Sequence, residues 1–521
     1  MIREKDNLKI RYAAIFSSMG MIFMLSGGLM MTPLLILLSN PEELSSAWAF
    51  CLPAGCLVLL GIVLRRFKPS SDITLSVQEG GVIVLISWVT VILFSAWPFV
   101  SISGLPYSRA VFESMSGWTT TGLSVVDVSV TGPMVLLWRS IIQLAGGAGL
   151  AIIMMSAITG PTGVGISNAE GRSDQLVPHV RQSARLVLII YTCYAAAGSL
   201  AYWAAGMSLF DAVNHSFAAV STGGFSTRPE SIGYWNSAAV EAVTLTLMVL
   251  GNLSFVTAWF LWRGKFGLVA KNGEVRLQVF LIPLSAAAIF LLTCRALYPQ
   301  VGKSLRVSVF ETVSALTTTG FSTVGYGNWN SFGICLMIGL MLIGGGTCST
   351  AGGIKQFRIY LLFKLLLWDL GRYLMPRTAV VERHIWEGGR RVFVDDARVR
   401  QVAVFVFLYL VIYGLGVMVL CACGYSLSDS LFEFASSLGT VGLSVGATAA
   451  GMPDAALWAE ILAMFFGRFE IIVLIVSLIK LGKDAFASCR MQDTLFGVKR
   501  YDKGKADSGL QVGADPGNDR L

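Results

Sequence analysis

Four hexapeptides of nearly the same sequence recur along this chain of 521 residues, each between two long apolar segments. The second position is always Thr, the fourth is Gly and the sixth is Ser, in hexads at 119–124, 221–226, 317–322 and 439–444. Four equivalent segments can converge on one axis and present rings of backbone carbonyl oxygens to a dehydrated cation. The repeat therefore predicts a cation pore made from four related units.

The composition places this chain in a membrane. Hydrophobic residues make up 55% and charged residues 13% of the sequence, whereas soluble domains carry about 25% charged residues. The apolar runs of about 20 residues or more are long enough to cross a bilayer. They predict ten spans, at residues 12–38, 47–64, 78–100, 133–158, 184–206, 237–262, 276–298, 332–366, 401–423 and 455–481. The first run is too long for a cleavable signal peptide and is interpreted as a membrane helix.

Basic residues are distributed unevenly between the two sides of these spans. One side holds both termini and the loops rich in Lys and Arg, among them Arg65, Arg66, Lys68, Arg172, Arg181, Arg263, Lys265, Lys271 and the arginines of the 367–400 segment. By the positive-inside rule that side is cytoplasmic, so the four hexads lie on the extracellular side. The net charge of +8 is thus a topology signal. No basic stripe with interleaved aromatic residues accompanies it, so no nucleic-acid partner is expected.

A short amphipathic stretch precedes each hexad, at 107–117, 209–220, 308–316 and 427–438. Ten residues of helix extend about 15 Å, half a bilayer, which suits a pore helix that enters the membrane and ends at the hexad. The predicted fold is an all-α integral membrane protein with four membrane–pore-helix–membrane repeats in a pseudo-fourfold arrangement around one ion pore. Two extra N-terminal transmembrane helices precede them. The predicted divisions are 1–72 for those helices, 73–160, 161–266, 267–375 and 400–485 for the repeats, 376–399 for a cytoplasmic linker and 486–521 for a cytoplasmic tail.

The hexads supply the predicted selectivity filter. Backbone carbonyls replace the water of a potassium ion without placing a full charge in the membrane, and glycine allows the backbone angles that turn them inward. The second-position threonines can add oxygens deeper in the filter. The second and fourth hexads depart from Thr-Thr-Thr-Gly, so the fourfold symmetry is approximate. The predicted potassium-binding residues are Thr119, Thr120, Thr121, Gly122, Ser221, Thr222, Gly223, Gly224, Thr317, Thr318, Thr319, Gly320, Gly439, Thr440, Val441 and Gly442.

Three carboxylates and one histidine stand nine residues before the filter glycines, namely Glu113, His215, Glu311 and Glu433. The carboxylates predict a negative outer mouth that attracts cations. The alternative is that each carboxylate stabilises the N-terminal turn of its own pore helix. The histidine predicts either pH sensitivity at the mouth or a packed, hydrogen-bonded side chain.

The second helix of the third unit is interrupted by a glycine-rich run. Each glycine costs about 1 kcal/mol in a helix, and irregular backbone at membrane depth must line the pore or be packed in protein. A gate beneath the filter is therefore predicted at Gly344, Gly345, Gly346, Thr347, Cys348, Ser349, Thr350, Ala351, Gly352 and Gly353. Arg468 lies within the last predicted span and is expected to face the pore near this loop as an electrostatic barrier. A salt bridge with another unit is the alternative for Arg468.

Four stretches of this sequence resemble the Trk/Ktr/HKT superfamily of potassium transporters, and within it the bacterial Trk-type pore subunits. They are 112–122, with Phe-Glu-Ser-Met-Ser-Gly-Trp-Thr-Thr-Thr-Gly, 220–227, the 344–355 loop ending in Lys355, and Gly467-Arg468-Phe469-Glu470. The resemblance covers roughly 75–485. It implies one filter glycine per repeat and an intramembrane gate in the third repeat. The resemblance also makes Lys355, at the end of the loop, a predicted gate residue.

The resemblance also implies partners and a location. These are a homodimer with one pore per protomer, a cytoplasmic regulatory subunit of the TrkA type, and the inner (cytoplasmic) membrane with its lipid bilayer. Potassium is the substrate and no cofactor is expected in this chain. A nucleotide, NAD(H) or ATP/ADP, is expected only on the regulatory subunit.

Two other functions stay open at this point. A proton- or sodium-coupled symporter needs a titratable group near the substrate path, and His215 is the candidate. An integral-membrane enzyme needs converging catalytic groups, but the three histidines, His179, His215 and His384, belong to no such constellation. The segment 376–396 has two β-prone runs around Gly388-Gly389, which predict a hairpin and a candidate docking surface for the regulator.

Overall fold

The computed structural model describes residues 2–67, 75–149, 180–376, 382–387, 389–469 and 471–486. The C-terminal tail, the cytoplasmic part of the predicted 133–158 span and Glu470 lie outside these described residues.

Two N-terminal helices precede the repeats. Helix α1 (Ile2–Met30) continues into short 3₁₀ segments and is followed by α2 (Trp48–Arg65). The two helices pack closely because glycines meet at their interface: a Cβ on Gly20 would lie 2.6 Å from the carbonyl oxygen of Gly61, and the reverse holds as well. The N-terminal pair contacts the first repeat through α3.

Each repeat consists of a first helix, a pore helix and a second helix. In the first repeat these are α3 (Val77–Ser95), extended by α4 (Trp97–Ser101), then α5 (Tyr107–Trp118) and α6 (Pro133–Ala148). In the second they are α7 (Val180–Ala204), α8 (Leu209–Val220) and a divided second helix, α9 (Ala238–Asn252) and α10 (Phe255–Trp262). A short helix, α11 (Phe266–Lys271), leads into the third repeat.

The third and fourth repeats follow the same order. The third has α12 (Gly273–Ile289), continued by a π-helical turn, then α13 (Val301–Leu316), α14 (Ser331–Ile343) and α15 (Gln356–Tyr373). The fourth has α16 (Asp396–Ala422), α17 (Leu427–Leu438), α18 (Asp454–Arg468) and α19 (Ile471–Phe486).

The four pore helices close a ring. Each contacts the second helix of the preceding repeat: α8 packs on α6, α13 on α9, α17 on α14, and α5 of the first repeat on α18 of the fourth. Serine caps help to define where two of them begin, since Ser208 and Ser426 each accept a hydrogen bond from the backbone N–H three residues later. The four repeats therefore surround one axis, as the sequence predicts.

Two of the ten predicted spans are sharply bent helix pairs and not continuous helices. Six helices of the described residues are long and apolar enough to cross a membrane, and up to eight spans result if each bent pair counts as one. The predicted spans 237–262 and 455–481 are bent by 115° and 105°. A glycine precedes each bend and packs on the pore helix of its own repeat: a Cβ on Gly251 would lie 2.6 Å from the Val220 carbonyl oxygen, and one on Gly467 would overlap that of Leu438. This close approach of backbones accounts for the glycines.

The predicted break in the third repeat is confirmed, because α14 ends at Ile343 and α15 begins only at Gln356. The predicted hairpin is confirmed as well. Strands β1 (His384–Glu387) and β2 (Arg390–Phe393) pair antiparallel, with Ile385 opposite Val392.

Candidate functional site

The four hexads share one unusual backbone conformation. The second-position threonines have φ between +49° and +55° and the fourth-position glycines between +73° and +96°. Left-handed angles are unfavourable for a β-branched residue and persist only where the surroundings impose them. The same departure at four equivalent threonines is therefore a property of the site. No sequence signal predicts it, since a β-branched residue such as Thr disfavours this conformation.

The filter glycines form a closed ring of contacts between repeats. A Cβ on any of them would overlap the carbonyl oxygen of the third hexad position in the next repeat. The four pairs are Gly122 with Gly223, Gly224 with Thr319, Gly320 with Val441, and Gly442 with Thr121. The hexads thus meet edge to edge around the axis, and glycine is required here both for its φ and for space.

Hydroxyls at the first and third hexad positions hold the filter to its pore helix. Thr119 Oγ1 donates to the Met115 carbonyl oxygen at 2.7 Å and lies 2.8 Å from Thr121 Oγ1. Thr317 and Thr319 repeat this arrangement in the third repeat. These side chains are engaged by the scaffold, so any oxygen they offer to an ion is a backbone oxygen. Val441, which lacks the hydroxyl, packs instead in an apolar cluster.

The second-position threonines fall into two classes. The hydroxyls of Thr120 and Thr440 are buried without a hydrogen-bond partner among the described residues. Those of Thr222 and Thr318 contact the glycine-rich loop of the third repeat: Thr222 Oγ1 lies 3.1 Å from Thr350 Oγ1, and the Gly352 N–H donates to Thr318 Oγ1 at 2.9 Å. Orphaned buried oxygens at the axis suit a cation.

In three of the four repeats the serine at the sixth hexad position connects the hexad to its pore helix. Ser124 Oγ donates to both carboxylate oxygens of Glu113, at 3.0 and 3.1 Å, and Ser444 Oγ donates to Glu433 at 2.5 Å. In the second repeat His215 takes the place of the carboxylate, with Nε2 3.0 Å from Ser226 Oγ.

These contacts correct the predicted outer mouth. Glu113, Glu311 and Glu433 have no exposed surface, lie within their pore helices and accept hydrogen bonds from the chain after the filter. Glu311 accepts from the Thr323 N–H and hydroxyl and from the Tyr326 hydroxyl. A buried carboxylate that must satisfy its oxygens binds backbone N–H groups, so these residues brace the filter and do not line the mouth. The N-terminal-turn alternative is also wrong, because none of them lies in a first turn.

Arg139 is a bracing residue that the sequence analysis missed. It is 2% exposed and pairs with Glu113 at 2.8 Å. It also donates to Ser124 Oγ at 3.0 Å and to the Ser226 carbonyl oxygen of the next repeat at 2.9 Å, and its guanidinium lies over the Phe225 ring. The arginine therefore joins the first and second quadrants of the filter.

Gln143, one helical turn further along α6, is a second missed residue. Its Nε2 donates to the Gly223 carbonyl oxygen at 2.6 Å, and its Oε1 accepts from the Phe225 N–H at 3.1 Å. The sequence signal for Gln143 is its position four residues after Arg139 in an otherwise apolar helix, because this spacing puts both side chains on one face.

A cavity of about 700 Å³ opens on the outer side of the ring. All four filter glycines line it, together with the chain segments that follow the hexads. This cavity leads from the extracellular surface directly to the glycine ring.

The glycine-rich loop of the third repeat lies against the opposite end of the ring. A Cβ on Gly352 would overlap Thr440 Oγ1 and would lie 2.6 Å from the Gly439 carbonyl oxygen. With the bonds to Thr222 and Thr318, the loop contacts the second-position threonines of three repeats. The loop therefore lies directly against the hexads, on the side of the ring away from the cavity.

Arg468 holds this loop to the first repeat. Its Nη1 donates to the Thr350 carbonyl oxygen and its Nη2 to the Gly146 carbonyl oxygen, both at 2.6 Å. The side chain is at the predicted place, beside the loop, and these contacts are to backbone oxygens. Lys355, at the end of the loop, has φ +80° and donates from Nζ to the Ala351 carbonyl oxygen.

This chain is similar to known proteins over most of its length. It is 29% identical over 477 residues to the Trk system potassium uptake protein TrkH of Halomonas elongata, covering 89% of this chain and 97% of the relative. It is 30% identical over 464 residues to the Trk system potassium uptake protein TrkG of Escherichia coli, covering 86% and 93%. The crystal structure of the potassium transporter TrkH from Vibrio parahaemolyticus superimposes with a TM-score of 0.78 at 28% identity, covering 90% of this chain and 98% of that one.

The chain is a multi-pass protein of the cytoplasmic membrane, as its apolar spans and these relatives indicate. The sequence model of the TrkH family, described as a cation transport protein, matches residues 56–488. Transporters of this kind are not an enzyme class. The glycine ring, the loop beneath it and this match over most of the sequence lead to one conclusion: the chain belongs to the TrkH family of cation transport proteins.

Proposed function

We propose that this chain conducts potassium into the cell through the ring formed by its four hexads. The observation that carries the proposal is the closed circuit of glycine-to-carbonyl contacts between repeats. It brings four left-handed glycines and four second-position threonines to one axis, where carbonyl oxygens can replace the water of the ion. Relatives named as potassium uptake proteins support potassium as the cation.

The glycine-rich loop at 344–353, with Lys355 and Arg468, is the gate of this proposed pathway. Its contacts with Thr222, Thr318 and Thr440 support this role, because an ion that leaves the proposed filter on that side would meet the loop. Opening requires the loop to move aside, and Arg468 opposes that movement through its bond to Thr350.

A cytoplasmic nucleotide-binding subunit of the TrkA type and a second copy of this chain complete the proposed assembly. The Trk system names of the relatives support a regulatory partner. The mass of the detergent-solubilised chain, alone and with the regulator, tests both parts of this assembly. A monomeric mass, or a mass unchanged by the regulator, contradicts the corresponding part.

A coupled symporter is the second candidate. It needs a titratable group near the ion path, and His215 is the candidate for that group. Both ring nitrogens are engaged, Nδ1 with the Asp211 carbonyl oxygen at 2.8 Å and Nε2 with Ser226 Oγ at 3.0 Å. The ring is fully buried and stacks on Phe321. A histidine held this way braces the filter, which favours channel-like conduction.

Reversal potentials in reconstituted membranes distinguish the two candidates. We expect the current to reverse at the potassium Nernst potential whatever the proton or sodium gradient. A reversal potential that follows either gradient would establish coupling and remove the channel interpretation.

Growth at limiting potassium tests the filter itself. We expect the wild-type chain to restore growth of an uptake-deficient strain, and Gly320→Ser to abolish it, because a Cβ there would overlap the Val441 carbonyl oxygen at φ +82°. Both proteins have to be present in the membrane at equal amounts. Equal growth with the two chains would contradict the filter assignment.

A further inference from the structure

The gating loop is held from a second side by a cytoplasmic elbow between the second and third repeats. We define the elbow as residues 252–274, which contain α10 and α11 and run from the end of α9 to the first turn of α12. Its loops carry Arg263, Lys265 and Lys271, so it lies on the cytoplasmic side. We propose that the elbow latches the gating loop through Glu274 and Asn252 and connects it to the β1–β2 hairpin. This inference rests on the proposed gate.

The latch is formed by hydrogen bonds from two consecutive backbone N–H groups of the loop to Asn252 and Glu274. The Gly346 N–H donates to the backbone oxygen and to Oδ1 of Asn252, both at 3.2 Å. The Thr347 N–H donates to Oε1 of Glu274 at 2.7 Å. Both elbow side chains are buried, at 0% and 7% exposure, so the bonds form where water does not compete for the donors.

The fit leaves no room for side chains on the loop at this place. A Cβ on Gly345 would overlap Asn252 Oδ1, and one on Gly346 would lie 2.7 Å from the Asn252 carbonyl oxygen. The Phe255 N–H, at the start of α10, donates to the Cys348 carbonyl oxygen at 3.2 Å. The loop is therefore seated in the break of the second repeat as well as under the filter.

Hydrogen bonds within the elbow join its two ends into one body. Ser254 caps α10 by accepting from the Thr257 N–H at 3.2 Å, and the two hydroxyl oxygens are 2.8 Å apart. Asn272 Nδ2 donates to Thr257 Oγ1 at 2.8 Å, and Asn272 Oδ1 accepts from the Glu274 N–H at 2.9 Å. These bonds connect the segment that follows Asn252 with Glu274.

The hairpin packs on the elbow from the cytoplasmic side. A Cβ on Gly389, at its turn, would lie 3.1 Å from the Phe260 ring and 3.7 Å from Leu268, and Lys271 Nζ lies 4.8 Å from the centre of the Trp386 ring. Ile385 on β1 is buried in a cluster with residues of α15, the helix that follows the gating loop. A displacement of the hairpin therefore reaches both ends of the loop, through the elbow and through α15.

Glu274 is accordingly a positioning residue of the gate, and its removal is expected to favour the open loop. In proteoliposomes holding the full chain without a regulator, Glu274→Ala should raise resting potassium flux about fivefold, the factor that one lost hydrogen bond gives. The potassium-to-sodium ratio should not change. Glu274→Gln keeps an oxygen acceptor and should restore most of the resting block. Glu42→Ala, an exposed carboxylate away from the cytoplasmic face, serves as the control.

The double variant tests the connection to the hairpin. Trp386→Ala should also raise resting flux, and Glu274→Ala with Trp386→Ala should equal Glu274→Ala alone, because the two act through one element. If the flux increases of the two single variants multiply in the double variant, the inference is wrong. It is also wrong if Glu274→Ala leaves the resting flux unchanged. A variant with a shortened 344–353 loop separates the two levels: if shortening leaves resting flux unchanged, the gate proposal fails. If only shortening raises flux, the elbow inference fails alone.

Discussion

The Nη1 group of Arg468 donates a 2.6 Å hydrogen bond to the carbonyl oxygen of Thr350, and Nη2 donates at the same distance to that of Gly146. One guanidinium on the fourth repeat therefore joins the gating loop to the first repeat. Hydrogen bonds from a charged donor contribute about 1.5–3 kcal/mol each. The two hydrogen bonds of Arg468 therefore stabilise the position of the loop beneath the filter.

Arg468→Ala should therefore raise resting potassium flux at least tenfold, because losing about 1.5 kcal/mol of closed-state stabilisation changes the ratio of open to closed loop by that factor. The resting flux of Arg468→Lys should lie between those of the wild type and Arg468→Ala, since an ammonium group lacks the planar fork that reaches both oxygens. Single-channel or proteoliposome flux recordings measure the change. Wild-type resting flux in Arg468→Ala would contradict the role of this side chain in closure.

Gly442 and Gly446 form a matched pair that separates backbone strain from steric overlap. Their φ values are +96° and +98°, but a Cβ on Gly442 would overlap the Thr121 carbonyl oxygen, whereas one on Gly446 has no heavy atom within 4 Å. Both Ala substitutions cost about 1–2 kcal/mol in backbone conformation. Only Gly442→Ala should abolish selective potassium flux.

The potassium-to-sodium permeability ratio of the two variants is the measurement, with protein in the membrane quantified for each. A similar loss in both would show that left-handed strain alone, and not the contact between repeats, determines the filter geometry.

The ion pair of Arg139 with Glu113 should matter for stability as well as for selectivity. Removing one partner of a buried pair leaves an uncompensated charge and costs about 3–5 kcal/mol. Arg139→Met should therefore lower the thermal midpoint in detergent and reduce potassium selectivity. The pair of Arg109 with Asp454 is the comparison, because the Asp454 side chain is 68% exposed.

Asp454→Asn should change stability by about 1 kcal/mol or less, as exposed pairs do. Equal effects of Arg139→Met and Asp454→Asn on the thermal midpoint would show that burial of the first pair has no energetic consequence.

Gly20 and Gly28 lie on the same helix and test the packing of α1 on α2. A Cβ on Gly20 would lie 2.6 Å from the Gly61 carbonyl oxygen, but one on Gly28 meets nothing within 4 Å. Gly20→Ala should destabilise the chain by about 1–3 kcal/mol through overpacking. Gly28→Ala should be neutral or slightly stabilising, because alanine has the higher helix propensity.

Thermal unfolding of the two purified variants in one detergent checks this prediction. A Gly20→Ala chain as stable as the wild type would mean that the two helices separate without cost.

Much of the site could be predicted from local sequence patterns. The Thr, Gly and Ser positions of the hexads, the apolar runs and the glycine run at 344–353 repeat or contrast strongly enough to be recognised along the chain. The role of Glu113 was misread and that of Arg139 was missed, because each side chain was considered on its own helix. Their pairing depends on the packing of α6 against the pore helix, which the pattern does not contain.

The bends in α9–α10 and α18–α19 were missed for a related reason. A single glycine such as Gly251 or Gly467 is common in a membrane helix and does not by itself indicate a bend. At both bends the last carbonyl oxygen of the pore helix of the same repeat approaches the glycine, and this contact is not visible in the sequence pattern.

The sequence by itself determined the class of protein, the number of repeats and the location of the interrupted helix, because hydropathy and repetition are properties of the chain read in order. The tertiary structure decided which groups meet. It placed the third hexad position of each repeat against the glycine of the preceding one, buried the carboxylates behind the filter, and seated the loop of the third repeat in the break of the second. The contacts between repeats join residues from 73 positions apart (Glu274 with Thr347) to 321 positions apart (Thr121 with Gly442), and only closure of the ring brings them together.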